Sequence, residues 1–293
     1  MKQAIQKTKY HIFEKTRPQV ASGIAANLWF TPPKYVPALP EKMFLESAAI
    51  ERVPYGETRH QSTLDSFYTV YSWGKGSLVL LVHGWGGSAA QMSPLAKQLV
   101  KAGYQVIAFD AFAHGDSPGH KTDILEMKDI VRDILNRFEQ VDAVVGHSLG
   151  GFAALLANQE CEKADMLVTV NMAASLDYYY KQFTDYLHVV RPMSGRIAVR
   201  IGSCLGKNIT DFSLMQIAPS VNYPHLIVHD QNDEMVSFQE ARALNKFWKN
   251  SELLITSGLG HSGFLHDVGT SEKIIQYFKR KRTYTPGLVS YQS

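Results

Sequence analysis

Residues Leu78–Val82 read Leu-Val-Leu-Leu-Val, with no polar position. A strand with one wet face alternates apolar and polar side chains. A strand without a polar position must be covered on both faces, and helices on both faces imply parallel pairing through crossover connections. The chain that follows has the required grammar. Met92–Ala102 is helical and ends at Gly103, and Tyr104–Phe109 reads as a strand. Ile124–Phe138 carries apolar residues at 124, 127, 130, 131, 134, 135 and 138, the spacing of one helix face. Val141–Val145, Met166–Asn171, His225–His229 and Leu253–Thr256 read as further strands. Ser148–Gln159, Phe238–Lys249 and Glu272–Lys281 read as helices between or after them. Upstream, Ile50–Val53 and Phe67–Trp73 are rich in β-branched and aromatic residues and bounded by glycines, as strands are. The predicted fold class is α/β, a mostly parallel central sheet flanked by helices.

The alternation breaks twice. Residues 175–222 hold two helical stretches, around Tyr178–Val190 and from Met193 to Leu205, with no strand between them. Such an insertion is expected to form a small helical cap over the carboxyl edge of the sheet, where α/β folds bind ligands. Residues 1–45 carry prolines at 18, 32, 33, 37 and 40, which predicts an extended arm without long helices, anchored by Trp29 and Phe30. The domain reading is therefore an arm over 1–45, a core over 46–174 and 223–293, and a cap over 175–222.

The sharpest motif is Gly146-His147-Ser148-Leu149-Gly150-Gly151, between a buried strand and an apolar helix. In G-x-S-x-G the glycines surround a strained turn that exposes a serine hydroxyl at the tip of the sheet. Ser148 is the candidate nucleophile. His83-Gly84-Trp85-Gly86-Gly87, at the end of the first buried strand, is a loop whose backbone N–H groups can face a ligand. Trp85 and Leu149, the residue after the nucleophile, are the candidate oxyanion donors. Asp233, past the His225–His229 strand, is the candidate orienting acid, with Asp230 as its rival. His261, after the last strand, is the candidate general base. His147 and His83 are expected to shape their loops rather than move protons. A metal reading of His229, Asp230 and Asp233 lacks a second ligand cluster.

The order Ser148, Asp233, His261 and the motifs around them resemble the α/β-hydrolase fold, more narrowly capped serine hydrolases of the serine aminopeptidase and monoacylglycerol lipase type. The segment Asp110 to Ser117 looks like that family's D-x-x-x-x-G-x-S loop. The resemblance covers about residues 46–282 and implies a Ser-His-Asp serine hydrolase. Ser at the elbow is unlike the Asp of haloalkane dehalogenases and epoxide hydrolases.

The resulting expectation is a carboxylesterase acting on a small or lipophilic ester. Tyr179 and Phe183 are candidate pocket residues, with packing of the cap as the competing reading. Thioesterase, peptidase and C–C hydrolase activities need the same triad, and a non-catalytic binding protein on this fold is the alternative from another class. No cofactor and no metal are expected. A net charge of +3 is too small to argue for nucleic acid, and no apolar stretch is long enough for a membrane span. Two cysteines and an N-terminus without an apolar leader predict a cytoplasmic protein. The sequence carries no signal for oligomeric state.

Overall fold

The computed structural model of the protein describes residues 8, 14–56, 59–60, 66–219 and 221–282. Eight strands form one sheet: β1 (Ala49–Pro54), β2 (Phe67–Trp73), β3 (Leu78–Val82), β4 (Gln105–Asp110), β5 (Ala143–His147), β6 (Leu167–Val170), β7 (His225–Asp230) and β8 (Ser251–Thr256). Their order across the sheet is β1-β2-β4-β3-β5-β6-β7-β8. β1 pairs antiparallel with β2 and β2 antiparallel with β4, and every later pair is parallel. The wholly apolar β3 lies inside this sheet, and its side chains divide between two cores. Leu78, Leu80 and Val82 join one cluster with Phe152 and Ile130, whereas Val79 and Leu81 join the other with Leu95, Leu99 and Phe278. Both faces are dry, which is why no polar residue interrupts the strand.

Helices α3 (Ala89–Lys101) and α10 (Val268–Arg282) bury Leu95, Leu99, Ile274 and Phe278 in the second cluster. Helices α4 (Ile124–Asn136) and α5 (Leu149–Cys161) bury Ile130, Ile134, Phe152 and Leu155 in the first. Asp123 caps α4 by accepting from the N–H groups of Leu125 and Glu126 at 2.8 and 2.9 Å. β5 begins at Ala143 rather than Val141. Val141 makes an isolated bridge to Ala164, while the Asp142 carboxylate accepts the Leu78 N–H.

Between β6 and β7 run α6 (Leu176–Tyr186), α7 (Met193–Leu205) and the short α8 (Leu214–Ile217); α9 (Phe238–Phe247) follows β7. The neck of the insertion is closed by two backbone bonds, Leu176 N–H to Phe212 O and Leu214 N–H to Ala174 O, both 2.9 Å. β6 and β7 can therefore pair directly although more than fifty residues separate them in sequence.

The N-terminal region departs from the expected extended arm. Pro18–Trp29 is a twelve-residue helix, α1, and Leu39–Glu46 is a second helix, α2. Pro18 occupies the first turn of α1, where its missing N–H costs nothing. The other prolines fall after α1 or in the first turn of α2, so proline density punctuated the region without preventing helices. Among the described residues no helix is long and apolar enough to cross a membrane.

Candidate active site

The turn from β5 into α5 carries Ser148 at φ 52, ψ −124, a left-handed backbone that a non-glycine residue adopts only when its surroundings hold it there. The Ser148 N–H is tied to Val170 O at 2.8 Å. A Cβ at Gly150 would meet His83 O at 2.1 Å, and one at Gly146 would meet the Gly151 Cα at 2.5 Å. These contacts are to backbone and cannot yield, so the flanking glycines are required by close approach. Ser148 is 7% exposed, at the N-terminus of α5, whose N–H groups and dipole face the space above the serine. No hydrogen bond occupies the Leu149 or Trp85 amide among the described residues.

The Trp85 loop is held by histidines. His83 Nε2 accepts the Ala111 N–H at 3.1 Å, so its Nδ1–H donates to Gly84 O at 2.8 Å. His114 Nε2 accepts the Gly86 N–H at 3.0 Å, and its Nδ1–H donates to Phe112 O at 2.9 Å. Burial, and then His83 nearby, depress the His114 pKa to about 3, which keeps the acceptor nitrogen free of a proton. Behind this loop the Asp110 carboxylate accepts the Ala89 and Asp116 N–H groups at 2.7 and 2.8 Å, anchoring the start of α3. A Cβ at Gly115 would lie 2.1 Å from that carboxylate. The Asp110–Ser117 segment is thus a support for the neighbouring loop.

After β7, Asp233 turns its carboxylate inward. Oδ2 lies 2.8 Å from His261 Nδ1, and Oδ1 accepts the N–H groups of Met235 and Val236 at 2.8 and 2.9 Å. Burial pushes the acid's pKa up, but the hydrogen bonds from His261, Val236 and Met235 outweigh it and hold the group below its ordinary range. Asp233 is therefore ionised and positioned to orient an imidazole. His229 Nε2–H donates to Val236 O at 2.9 Å and stands 3.7 Å from Asp233 Oδ2, so it buttresses the loop. Asp230, the rival acid, faces away from His261 Nδ1. Its carboxylate accepts from Asn232 N–H, Leu259 N–H and the Thr256 hydroxyl at 2.9 to 3.0 Å, tying the two loops together. Among the described residues no cluster of three metal-ligating side chains exists.

Two residues act on His261 that the sequence reading passed over or left general. Asn171, at φ 52 just past β6, donates from Nδ2 to His261 O at 2.7 Å and Gly260 O at 3.1 Å. Its Oδ1 accepts the Asp230 N–H at 3.0 Å. His147 donates Nε2–H to the same His261 carbonyl at 2.9 Å, with its pKa lowered to about 3 first by burial and then by the neighbouring His261. An Asn at a strand end was the available signal for Asn171, since Asn tolerates left-handed backbone.

Ser148, Leu149, Trp85 and His261 open into one cavity of about 560 Å³. Tyr179 and Phe183 of α6 also line it. Tyr179 is more than an apolar wall: its hydroxyl oxygen accepts the Ala173 N–H at 3.1 Å, in the same cavity as Ser148. Its pKa is raised, first by burial, so it is a neutral donor.

An eight-stranded sheet with an antiparallel edge, a serine on the β5–α5 turn and an aspartate and histidine after β7 and β8 has close structural counterparts. An esterase of Pyrococcus furiosus superposes with a TM-score of 0.63 over 86% of this chain and 97% of its own, at 20% identity. The chain has the α/β-hydrolase fold. A thioesterase domain from the curacin biosynthetic pathway shares the fold, with a TM-score of 0.59 at 16% identity over 80% of this chain and 99% of its own. In sequence, the family described as serine aminopeptidase, S33, matches residues 75–216. Rat monoglyceride lipase is 28% identical over 123 residues, 38% of this chain and 41% of the lipase. A protein of Variovorax paradoxus described as a carbamate hydrolase, RutD, is 37% identical over 109 residues, 36% of this chain and 41% of its own. The chain thus aligns with less than half the length of these curated relatives.

Proposed function

We propose that this α/β-hydrolase is a serine hydrolase acting by a Ser148–His261–Asp233 triad, and that its substrate is a carboxylic ester with an apolar acyl or alcohol part. The observation that carries the reading is the 2.8 Å contact between Asp233 Oδ2 and His261 Nδ1, on a histidine that shares its cavity with a serine in a left-handed elbow. Ser148 Oγ attacks the carbonyl carbon as His261 takes its proton at Nε2. Asp233 keeps the other ring proton on Nδ1 and stabilises the imidazolium. The tetrahedral oxyanion is met by the free Leu149 and Trp85 N–H groups. Collapse passes the proton from His261 to the leaving alcohol, and water repeats the sequence to release the acid.

The apolar lining favours an ester over an aminoacyl amide. Asp123 is the one carboxylate among the described lining residues, and its oxygens are engaged by Leu125, Glu126 and His60. No carboxylate is left to receive a substrate α-ammonium. Residues 175–222, through α6, act as a cap over the cavity. The two cysteines are both free, which suits the cytoplasm.

The test is labelling by a fluorophosphonate, which requires an activated serine, together with rates on p-nitrophenyl esters, thioesters and aminoacyl amides. Wild-type protein is labelled and turns over esters fastest. Ser148→Ala is not labelled and retains at most about 10³-fold catalysis over water. Labelling of Ser148→Ala at the wild-type rate rejects the triad, and fastest turnover of the thioesters or the amides rejects the ester.

A further inference from the structure

The cavity has a wall that lies outside the region matched by the serine aminopeptidase family. Leu28, Trp29 and Pro33 line it, whereas that match begins at residue 75. These residues are fixed in place by contacts with three separate parts of the chain. Helix α1 presents a small face, Ala21, Ala25 and Ala26, all buried, and packs on α7. Arg200 of α7 donates from Nε to Ser22 Oγ at 2.9 Å and from a terminal nitrogen to Gln19 at 3.2 to 3.3 Å. After the helix, Phe30 O accepts the Thr122 N–H at 2.9 Å. Pro33 then rests on Gly86, beside the oxyanion candidate Trp85; a Cβ at Gly86 would come within 2.5 Å of the Pro33 ring.

Within this wall Trp29 differs from its neighbours. Leu28 and Phe30 are buried in the core, while Trp29 is half-buried and borders the cavity. Its ring meets Phe183 edge to face at 5.3 Å and Tyr180 at 6.0 Å, both on α6. Its indole N–H has no acceptor among the described residues, so the ring is held by apolar packing and aromatic contacts rather than by a hydrogen bond. Trp29 and Phe183 therefore form a clasp between the N-terminal segment and the cap helix across one side of the cavity.

We infer that residues 28–33 are a specificity-determining wall, and that Trp29 sets the length of the apolar chain the site accepts. The inference rests on the proposed ester hydrolysis for its kinetic readout but not for its binding readout. Removing the indole opens the clasp toward α6 while leaving Ser148, His261 and Asp233 untouched. Longer chains then gain room, and short chains lose contact.

The experiment compares full-length wild type, Trp29→Ala, Trp29→Phe and Trp29→Leu. kcat/KM is measured on p-nitrophenyl alkanoates from acetate to dodecanoate and on alkyl acetates of the same lengths. Trp29→Ala is expected to raise the ratio of long- to short-chain kcat/KM by about tenfold or more in one series, the worth of one or two methylenes in an apolar pocket. Trp29→Phe stays near wild type. Should Trp29→Ala fail to fold, Trp29→Leu is expected to move the ratio in the same direction. The second readout needs no turnover: the rise in Tm caused by alkanoates of increasing length is measured in a Ser148→Ala background. Profiles of folded Trp29 variants that superpose on wild type in both readouts overturn the inference. Absence of ester turnover in wild type, with the alkanoate profile still shifted by Trp29→Ala, overturns the ester reading and leaves the wall standing.

Discussion

Asn171 is the buried side chain on which the base loop hangs, and its removal has a calculable cost. Asn171→Ala deletes an acceptor for the Asp230 N–H and a donor to the carbonyls of Gly260 and His261. His261 O keeps its bond from His147, so that carbonyl is not orphaned. The Asp230 N–H is orphaned, in a residue 1% exposed, and an unsatisfied buried donor costs about 1–3 kcal/mol. Adding about 1 kcal/mol for the lost donations gives about 2–4 kcal/mol. Asn171 also sits at φ 52. Ala is strained there by about 1–2 kcal/mol, whereas Gly is not but loses about 0.5–1 kcal/mol in unfolded-chain entropy. Asn171→Gly should therefore be less damaging than Asn171→Ala by about 0.5–1 kcal/mol. Asn171→Asp keeps an acceptor but turns a carboxylate oxygen toward two carbonyls, and should be at least as damaging as Ala. Urea unfolding reads the stabilities. kcat on an ester reads the placement of His261, with a loss of about 10²-fold expected if the loop shifts by about 1 Å. A loss below about 1 kcal/mol in Asn171→Ala, or wild-type kcat in Asn171→Asp, would refute the assignment of this side chain to the base loop.

The two acids should separate cleanly. Asp233→Asn puts an amide N–H against His261 Nδ1 and favours the wrong tautomer, so kcat should drop by up to about 10⁴-fold with little change in Tm. Asp230→Asn removes an acceptor from Thr256 and Leu259 or from Asn232, so Tm should fall while kcat falls far less; the reverse pattern, read by kinetics and thermal melts, moves the acid to Asp230. Stability should also depend on pH. His114, His147 and His225 have pKa values depressed by burial to about 3, against an unfolded value near 6.5. Their folded states bind fewer protons, so the stability tied to neutrality is complete above about pH 6.5 and is lost as pH falls toward 3. His225→Gln removes one such group, and the slope of unfolding free energy between pH 4 and 5.5 should flatten by about 1.4 kcal/mol per pH unit. An unchanged slope would show that His225 is already protonated in the folded protein.

What could be read from the sequence was local or periodic. Leu78–Val82 announces a strand covered on both faces because its composition permits no other burial. Gly146 and Gly150 mark the elbow because backbone presses on both, a constraint written into the motif itself. Ser148, Asp233 and His261 were legible as candidates because each follows a recognisable strand, and in a parallel sheet the strand ends converge on one edge. Other features depend on partners far away in the chain. The hydroxyl of Tyr179 finds the Ala173 N–H through the fold of the insertion, so as a letter in Tyr-Tyr-Tyr it reads as apolar lining. Asn171 acquires its role from loops that end β7 and β8, about 60 and 90 residues downstream. The N-terminal segment shows this most plainly. Its prolines, judged by local rules, suggested an extended arm, yet Pro18 opens a helix whose alanine face fits α7 and delivers Trp29 to the cavity. Nothing within residues 18–33 encodes that surface; it exists in α6, α7 and the Gly86 loop, and only tertiary packing brings them together.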